Sequence, residues 1–312
     1  MSKNSLKYSV FLKTIFSLTL LGIIIYNIKI LELKEDFIGF RPLILIIPFS
    51  LIFLIRIIQY ALNYYILGLV LKIKLSFREW VKSVFFCWSV GYVSFGKVAE
   101  FGVLYDLKRK GVPIAKSGAI FLLDKIITLI SLLALFPLAV IFLFRDKMII
   151  IITPLGLGVL ILMLFCLKNE NIRNWIRNRI MGKYQEHFSG FYRFLIELIK
   201  CKIAIVFNAF NTILRLLSYG LTSFILLKGF GEDISLLAIT GVNIINQVVT
   251  MIPISIANLG VQEAWYIIAL KQYGVTAETA LSFSITGRGI SLLLISLFVP
   301  YFTLSLRLKR RK

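Results

Sequence analysis

Six ionisable side chains stand inside otherwise apolar stretches of the chain: Arg56, Glu100, Lys125, Arg215, Glu263 and Arg288. They fall into two sets of the same order. Lys97 to Lys125 reads KVAEFGVLYDLKRKGVPIAKSGAIFLLDK, and Gly260 to Arg288 reads GVQEAWYIIALKQYGVTAETALSFSITGR. Glu100 precedes Gly111-Val112 by the interval that separates Glu263 from Gly274-Val275, and the next interval, to Lys125 or to Arg288, also agrees. The likeness extends upstream, where LIRIIQYALNYYIL carries Arg56 and Tyr60, and ILRLLSYGLTSFIL carries Arg215 and Tyr219. A guanidinium offers a planar fork of donors suited to phosphate. A carboxylate can hold a cationic group or carry a proton.

Those charges need elements to position them, and the composition says where the elements lie. The 312 residues are 59% hydrophobic with a mean hydropathy of +0.88, against roughly 45–50% apolar in soluble proteins. This is an integral membrane protein. The net charge of +21 fits basic cytoplasmic loops against an anionic leaflet, and there is no soluble basic module to bind nucleic acid. Cys87, Cys166 and Cys201 show no CxxC or metal spacing, and His187 is the only histidine. A disulfide framework, a zinc site and a Ser-His-Asp triad are therefore not expected, nor is a cofactor. A phosphate loop is excluded by the lack of a Gly-Lys-Ser/Thr pattern.

Taken in order, residues 1–41 give a first span over 8–28 and a charge-balanced loop, 29–41, suited to the outside. Residues 42–144 form the first repeat. It has a span over 42–70, a basic segment over 72–82, a hairpin whose first arm is 83–96, and a span over 114–144. The arm is short of the ~20 residues that a crossing needs. Residues 145–202 connect the repeats through an outer turn, 145–147, a fourth span, 148–167, and a basic segment, 168–202, that includes NIRNWIRNRI. Residues 203–306 form the second repeat, with a span over 203–228, hairpin arms over 234–251 and 260–272 broken at Pro253 and Gly260, and a last span over 277–306; residues 307–312 are a basic tail. Basic loops put 72–82, 168–202 and both termini in the cytoplasm, with 29–41, 145–147 and 228–233 outside. The expected fold is an all-α integral membrane protein, a single transmembrane domain of about six spans plus two re-entrant helical hairpins arranged as an inverted repeat.

This ordered set resembles the lysylphosphatidylglycerol synthase transmembrane-region family, also called flippase-like. The residues that carry the resemblance are Lys97-Val98-Ala99-Glu100, Gly111-Val112 and Lys125, then Pro253, Gly260-Val261-Gln262-Glu263, Gly274-Val275 and Arg288. Ala99, Lys125 and Thr128 depart from the Gly, Arg and acid common at those places in the family, so the first half is expected to bind its headgroup differently. The resemblance implies movement of a polar-headed lipid between leaflets. Lipid aminoacylation, done in the best-known members by a separate cytosolic domain, is not expected of this chain.

Unpaired charges at the bilayer centre cost about 2.5–3.5 kcal/mol each, so the six must pair or face water. One reading is that they tie the hairpins to neighbouring spans. The other is a hydrated lipid path, and the two are compatible. In the second, Glu100 and Glu263 approach a shared cavity from opposite sides, Arg56 and Arg215 lie deeper as phosphate partners, and Lys125 and Arg288 guard the mouths. Asp124 and Asp106 are expected only to balance nearby cations. The leading function is a flippase or transporter in the cell membrane for an aminoacyl-phospholipid, a phospholipid or a polyprenyl-linked glycolipid. A membrane-embedded lipid-modifying enzyme, or a non-transporting partner of a cell-envelope synthase, is the alternative. The expected partners are a lipid substrate and anionic headgroups, together with a homo-oligomer or an envelope-synthesis enzyme.

Overall fold

The computed structural model describes residues 42–93, 100–143, 190–251 and 255–308, with isolated positions 19, 22, 23 and 26 before them. Most of the expected first span, the loop 29–41, the Lys97-Val98-Ala99 motif, the outer turn 145–147, the fourth span and residues 168–189 lie outside this description. So do Pro253 and residues 309–312. Among the described residues there are nine α-helices and no strand. In chain order they are α1 (Pro42–Val70), α2 (Phe77–Val93), α3 (Gly102–Arg109), α4 (Ile114–Leu143), α5 (Phe191–Lys200), α6 (Lys202–Gly229), α7 (Leu236–Val249), α8 (Val261–Lys271) and α9 (Ala277–Leu308).

Four of them, α1, α4, α6 and α9, contain apolar stretches of 20 to 28 residues, long enough to cross a membrane. The other described helices are shorter. At 1.5 Å rise per residue, α7 reaches only about 21 Å and α8 about 17 Å, against a hydrocarbon core of ~30 Å. Two boundaries differ from the sequence reading. The arm expected to start at 83 begins at Phe77, because Ser76 and Glu79 cap it: the Glu79 carboxylate accepts from the Ser76 N–H and hydroxyl, both at 3.0 Å. The end of the basic segment is the helix α5, whose Leu198 is fully buried while Arg193, Glu197 and Lys200 stay exposed.

The repeated Gly-Val pairs are helix stops of one design. Gly111 and Gly274 take φ of +82° and +83°, a region open to glycine because it lacks Cβ. In each copy the next valine's N–H reaches back to the carbonyl five residues earlier: Val112 to Leu107 at 3.0 Å and Val275 to Leu270 at 3.3 Å. The glycine N–H closes the inner bond, to Lys108 or Lys271. This is the Schellman motif. The same pair of bonds ends α6 at Gly231 and α1 at Lys72, a non-glycine residue at φ +54°.

The described chain divides into two compact units that do not follow the halves of the repeat. One holds Met1–Ile57, Val84–Phe101 and Leu216–Lys312; the other holds Ile58–Ser83 and Gly102–Arg215. In the first unit α7 is enclosed on all sides, with every residue from Ala238 to Asn246 buried. Gly220 lets α6 approach it. A Cβ there would stand 2.0 Å from the Thr240 hydroxyl and 2.9 Å from the Thr240 Cα. Backbone atoms cannot yield as a side chain can, so Gly220→Ala is expected to cost about 1–3 kcal/mol, read as a lower melting temperature in detergent. Gly289→Ala, with nothing within 4 Å of its Cβ position, is the control that should leave it unchanged.

Candidate functional site

In the first unit the site is built where helical backbone fails. Between α7 and α8, Ala257, Asn258 and Gly260 take φ of +50°, +57° and +81°. Such backbone leaves peptide groups without helical partners, which at membrane depth is tolerated only inside protein or against a wet cavity. Glu263, in the first turn of α8 and 1% exposed, collects them. Its carboxylate accepts from the Gly260 N–H at 2.7 Å, and from Nη2 and Nε of Arg288 at 2.7 and 3.2 Å. Ser284 reaches it at 3.4 Å. The Arg288 fork also donates to the Ala257 carbonyl at 2.8 Å and the Gln262 side chain at 3.3 Å. One guanidinium therefore fastens α9 to the broken segment and to α8 together.

A second group of polar side chains surrounds Tyr266, one helical turn along α8. Its hydroxyl donates to Asn243 Oδ1 at 3.0 Å and accepts from Asn246 Nδ2 at 3.2 Å. Ser223 on α6 donates to the same Asn243 oxygen at 3.2 Å. Arg56, only 5% exposed, lies with its Cζ 4.3 Å from the Tyr219 ring centroid and 5.6 Å from that of Phe53. Its Nε is enclosed without a hydrogen bond, as is Asn246 Oδ1.

The second unit has its own buried charge, Asp124, with no exposure. Its Oδ1 accepts from Asn63 at 3.2 Å and Asn208 at 3.4 Å, and its Oδ2 lies 3.5 Å from the Lys125 ammonium. Asn63 also donates to Thr212 at 2.9 Å and accepts from Asn211 at 2.7 Å. Arg215, 1% exposed, stacks with its Cζ 3.6 Å from the Tyr60 ring centroid and donates to Thr128 at 3.3 Å. Lys125 lies over Tyr60 and Phe121, at 5.5 and 5.4 Å.

The six expected residues are thus distributed in two sets. Arg56, Glu100, Glu263 and Arg288 belong to the first unit, Lys125 and Arg215 to the second. Glu263 and Arg288 are brought together. Lys125 and Arg288 each lie roughly three turns, ~16 Å, along α4 and α9, which start just after the Gly-Val stops. Glu100 sits half-buried in a 3₁₀ turn ahead of α3 rather than within that helix. Asp106 meets the expectation of a balancing role, bonding Lys110 at 2.7 Å and Ser83 at 2.6 Å. Asp124 exceeds it. The sequence signal is amides on one helical face: Asn208, Asn211 or Thr212, and Arg215 recur at helical spacing along α6, as Asn243 and Asn246 do along α7, with Thr250 at its C-cap.

The family model for the lysylphosphatidylglycerol synthase TM region matches residues 10–298. The chain belongs to that family. Neither the curated proteins nor the solved structures give a match. Membership in the lysylphosphatidylglycerol synthase TM region family, with the four long apolar helices, makes this a multi-pass membrane protein and fits a lipid-related function.

Proposed function

We propose that the protein is a lipid flippase or transporter of the cell membrane, moving a polar-headed lipid between leaflets. The observation that supports it most is the Glu263–Arg288 clamp on a broken segment between two helices too short to span, which is where re-entrant backbone would present polar groups at depth. In this reading α7–α8 and α2–α3 are re-entrant hairpins, and the two halves form an inverted repeat. Supporting the inversion, Arg56 stacks on Tyr219 while Arg215 stacks on Tyr60, so each copy's cation meets the other copy's ring. The lipid carries its polar head past these groups, and no chemical step is assigned. Both termini are cytoplasmic in this scheme.

The test is reconstitution into vesicles with a panel of labelled phospholipids, aminoacyl-phospholipids and polyprenyl-linked glycolipids, followed by leaflet-resolved analysis of both position and chemical identity. The expected result is a faster exchange of at least one lipid, unchanged in structure, than in protein-free vesicles. A chemically altered lipid would instead establish an enzyme, and no effect on any lipid would leave an anchoring role. Orientation is checked separately: a cysteine at Asp233 should be labelled from outside and one at Lys200 from inside.

A further inference from the structure

We propose that the second unit carries a sodium site, formed by Asp124 of α4, Asn63 of α1, and Asn208 and Thr212 of α6, with Lys125 as the tethered cation that the ion displaces. All four side chains have no exposure, and three helices bring them to one point. Asn63 Nδ2 lies 3.2 Å from Asp124 Oδ1 and 2.9 Å from the Thr212 hydroxyl. Asn208 Nδ2 lies 3.4 Å from Asp124 Oδ1, and its own Oδ1 accepts from Thr212 at 3.5 Å. One carboxylate, two amides and one hydroxyl are the oxygen donors that hard cations take. A single carboxylate with an ammonium beside it matches one positive charge, which favours a monovalent ion over calcium or magnesium. Among the described residues no three His, Cys, Asp or Glu gather as a transition metal would need. To receive the ion, Asn63 and Asn208 turn end for end about a broad, roughly two-fold torsion, bringing Oδ1 to where Nδ2 stood. Asn211, which donates to Asn63 Oδ1 at 2.7 Å and to the Gln59 carbonyl at 2.8 Å, turns with Asn63 and then accepts from it.

The ion pair distinguishes this place from a plain helix tie. Where the chain fastens helices with charge, nitrogen and oxygen stand at bonding distance, 2.7 Å in both Arg288–Glu263 and Lys110–Asp106. Lys125 stops 3.5 Å from Asp124 Oδ2, and that oxygen is enclosed without a hydrogen bond. The Lys125 side chain keeps 27% of its surface exposed and lies over the rings of Tyr60 and Phe121, which hold an ammonium by cation–π attraction. Lys125 is therefore held from two sides and can give up one. As sodium enters, the ammonium moves from the carboxylate towards the rings, so the buried carboxylate is never left bare. No covalent bond changes; one cation replaces another. Beyond Lys125 stand Tyr60 and Arg215, stacked on each other at 3.6 Å. Coupling to a sodium gradient, the purpose such a site would serve, rests on the flippase reading; the binding itself does not.

The experiment is binding of radioactive sodium to the purified full chain in detergent, with melting temperatures read in sodium, potassium and choline chloride at one ionic strength. The unaltered protein should bind one sodium per chain, and sodium should raise its melting temperature above that in potassium or choline. Lys125→Met removes the competing ammonium, so sodium should bind about tenfold more tightly or better. In choline this variant should melt below the unaltered protein, because Asp124 has lost its counter-charge, and sodium should close the gap. Asn208→Ala, which removes a ligand and no charge, should weaken sodium by about tenfold or more. Asp124→Asn/Lys125→Met, in which no unpaired charge remains, should fold and bind none. Absence of sodium binding from both the unaltered protein and Lys125→Met would overturn the site, as would full binding in Asp124→Asn/Lys125→Met. A Lys125→Met protein whose melting temperature rises on acidification and ignores sodium would assign the carboxylate to a proton and overturn the sodium site equally. Sodium binding with no lipid movement in vesicles would count against the flippase reading alone, whereas lipid movement without sodium binding would count against this site alone.

Discussion

Replacing Glu263 by glutamine is expected to reduce lipid movement by more than tenfold. The side chain keeps its size, but the negative charge that holds Arg288 is removed. Arg288 then remains largely buried, its side chain 15% exposed, with no counter-charge among its recorded partners. Taking one partner from a buried ion pair costs about 3–5 kcal/mol, well above the ~0.6 kcal/mol average for a neutral hydrogen bond between membrane helices. Charge, not hydrogen bonding, decides the effect. The broken segment should loosen first, since Arg288 also anchors the Ala257 carbonyl. Two measurements separate fold from function. The melting temperature in detergent should fall in Glu263→Gln and recover in part in Glu263→Gln/Arg288→Gln, where no unpaired charge remains. Lipid movement should stay low in both. If Glu263→Gln folds and moves lipid at the unaltered rate, the pair is a structural tie and the path past it has to be abandoned.

Arg288→Lys is a finer cut through the same clamp. The guanidinium reaches three partners with three nitrogens in one plane, and an ammonium, a point charge on a flexible stem, cannot hold all three. It should keep the charge balance and hence more of the stability than Glu263→Gln, while losing the fixed geometry. A stable but slow Arg288→Lys would therefore place the function in the clamp's shape.

Much of the fold is legible in the sequence. The Gly-Val pairs stand out in the sequence by their equal spacing, and they end helices because a helix that ends with an αL residue favours glycine there. The long helices followed from apolar length, and Glu263 and Arg288 from their rarity in such surroundings. Spacing misleads about partners. In Arg56-x-x-x-Tyr60 the two residues share a helical face, which suggests a pair within one helix, yet Arg56 lies over Tyr219 and Tyr60 under Arg215. A shared face fixes a direction, and only the tertiary fold decides what waits there. Uncharged amides were harder still. Asn63, Asn208 and Asn211 are unremarkable in a list of charges, and their importance comes from a network around one buried carboxylate, which Asn63 and Asn208 bond directly and Asn211 reaches through Asn63.

That carboxylate leads to the second large expected effect. Asp124→Ala should destabilise the protein by up to about 3 kcal/mol, the low end of the cost of breaking a buried pair, since Lys125, the charge stripped, keeps 27% of its side chain exposed. The amide donors of Asn63 and Asn208 lose their acceptor as well, but at roughly 0.6 kcal/mol each in membrane helices they contribute the smaller part. This ordering is testable with variants that separate the two contributions. Asn208→Ala, which removes one amide and no charge, should lower the melting temperature far less than Asp124→Ala. Asp124→Asn retains an acceptor for the amides but not the charge, so it should resemble Asp124→Ala. Adding Lys125→Met to Asp124→Asn should restore most of the loss, because the pair is then neutral. Were Asn208→Ala as damaging as Asp124→Ala, the polar network rather than the ion pair would be what holds α1, α4 and α6 together in this unit. Lys125 would then be free to exchange partners without cost to the fold.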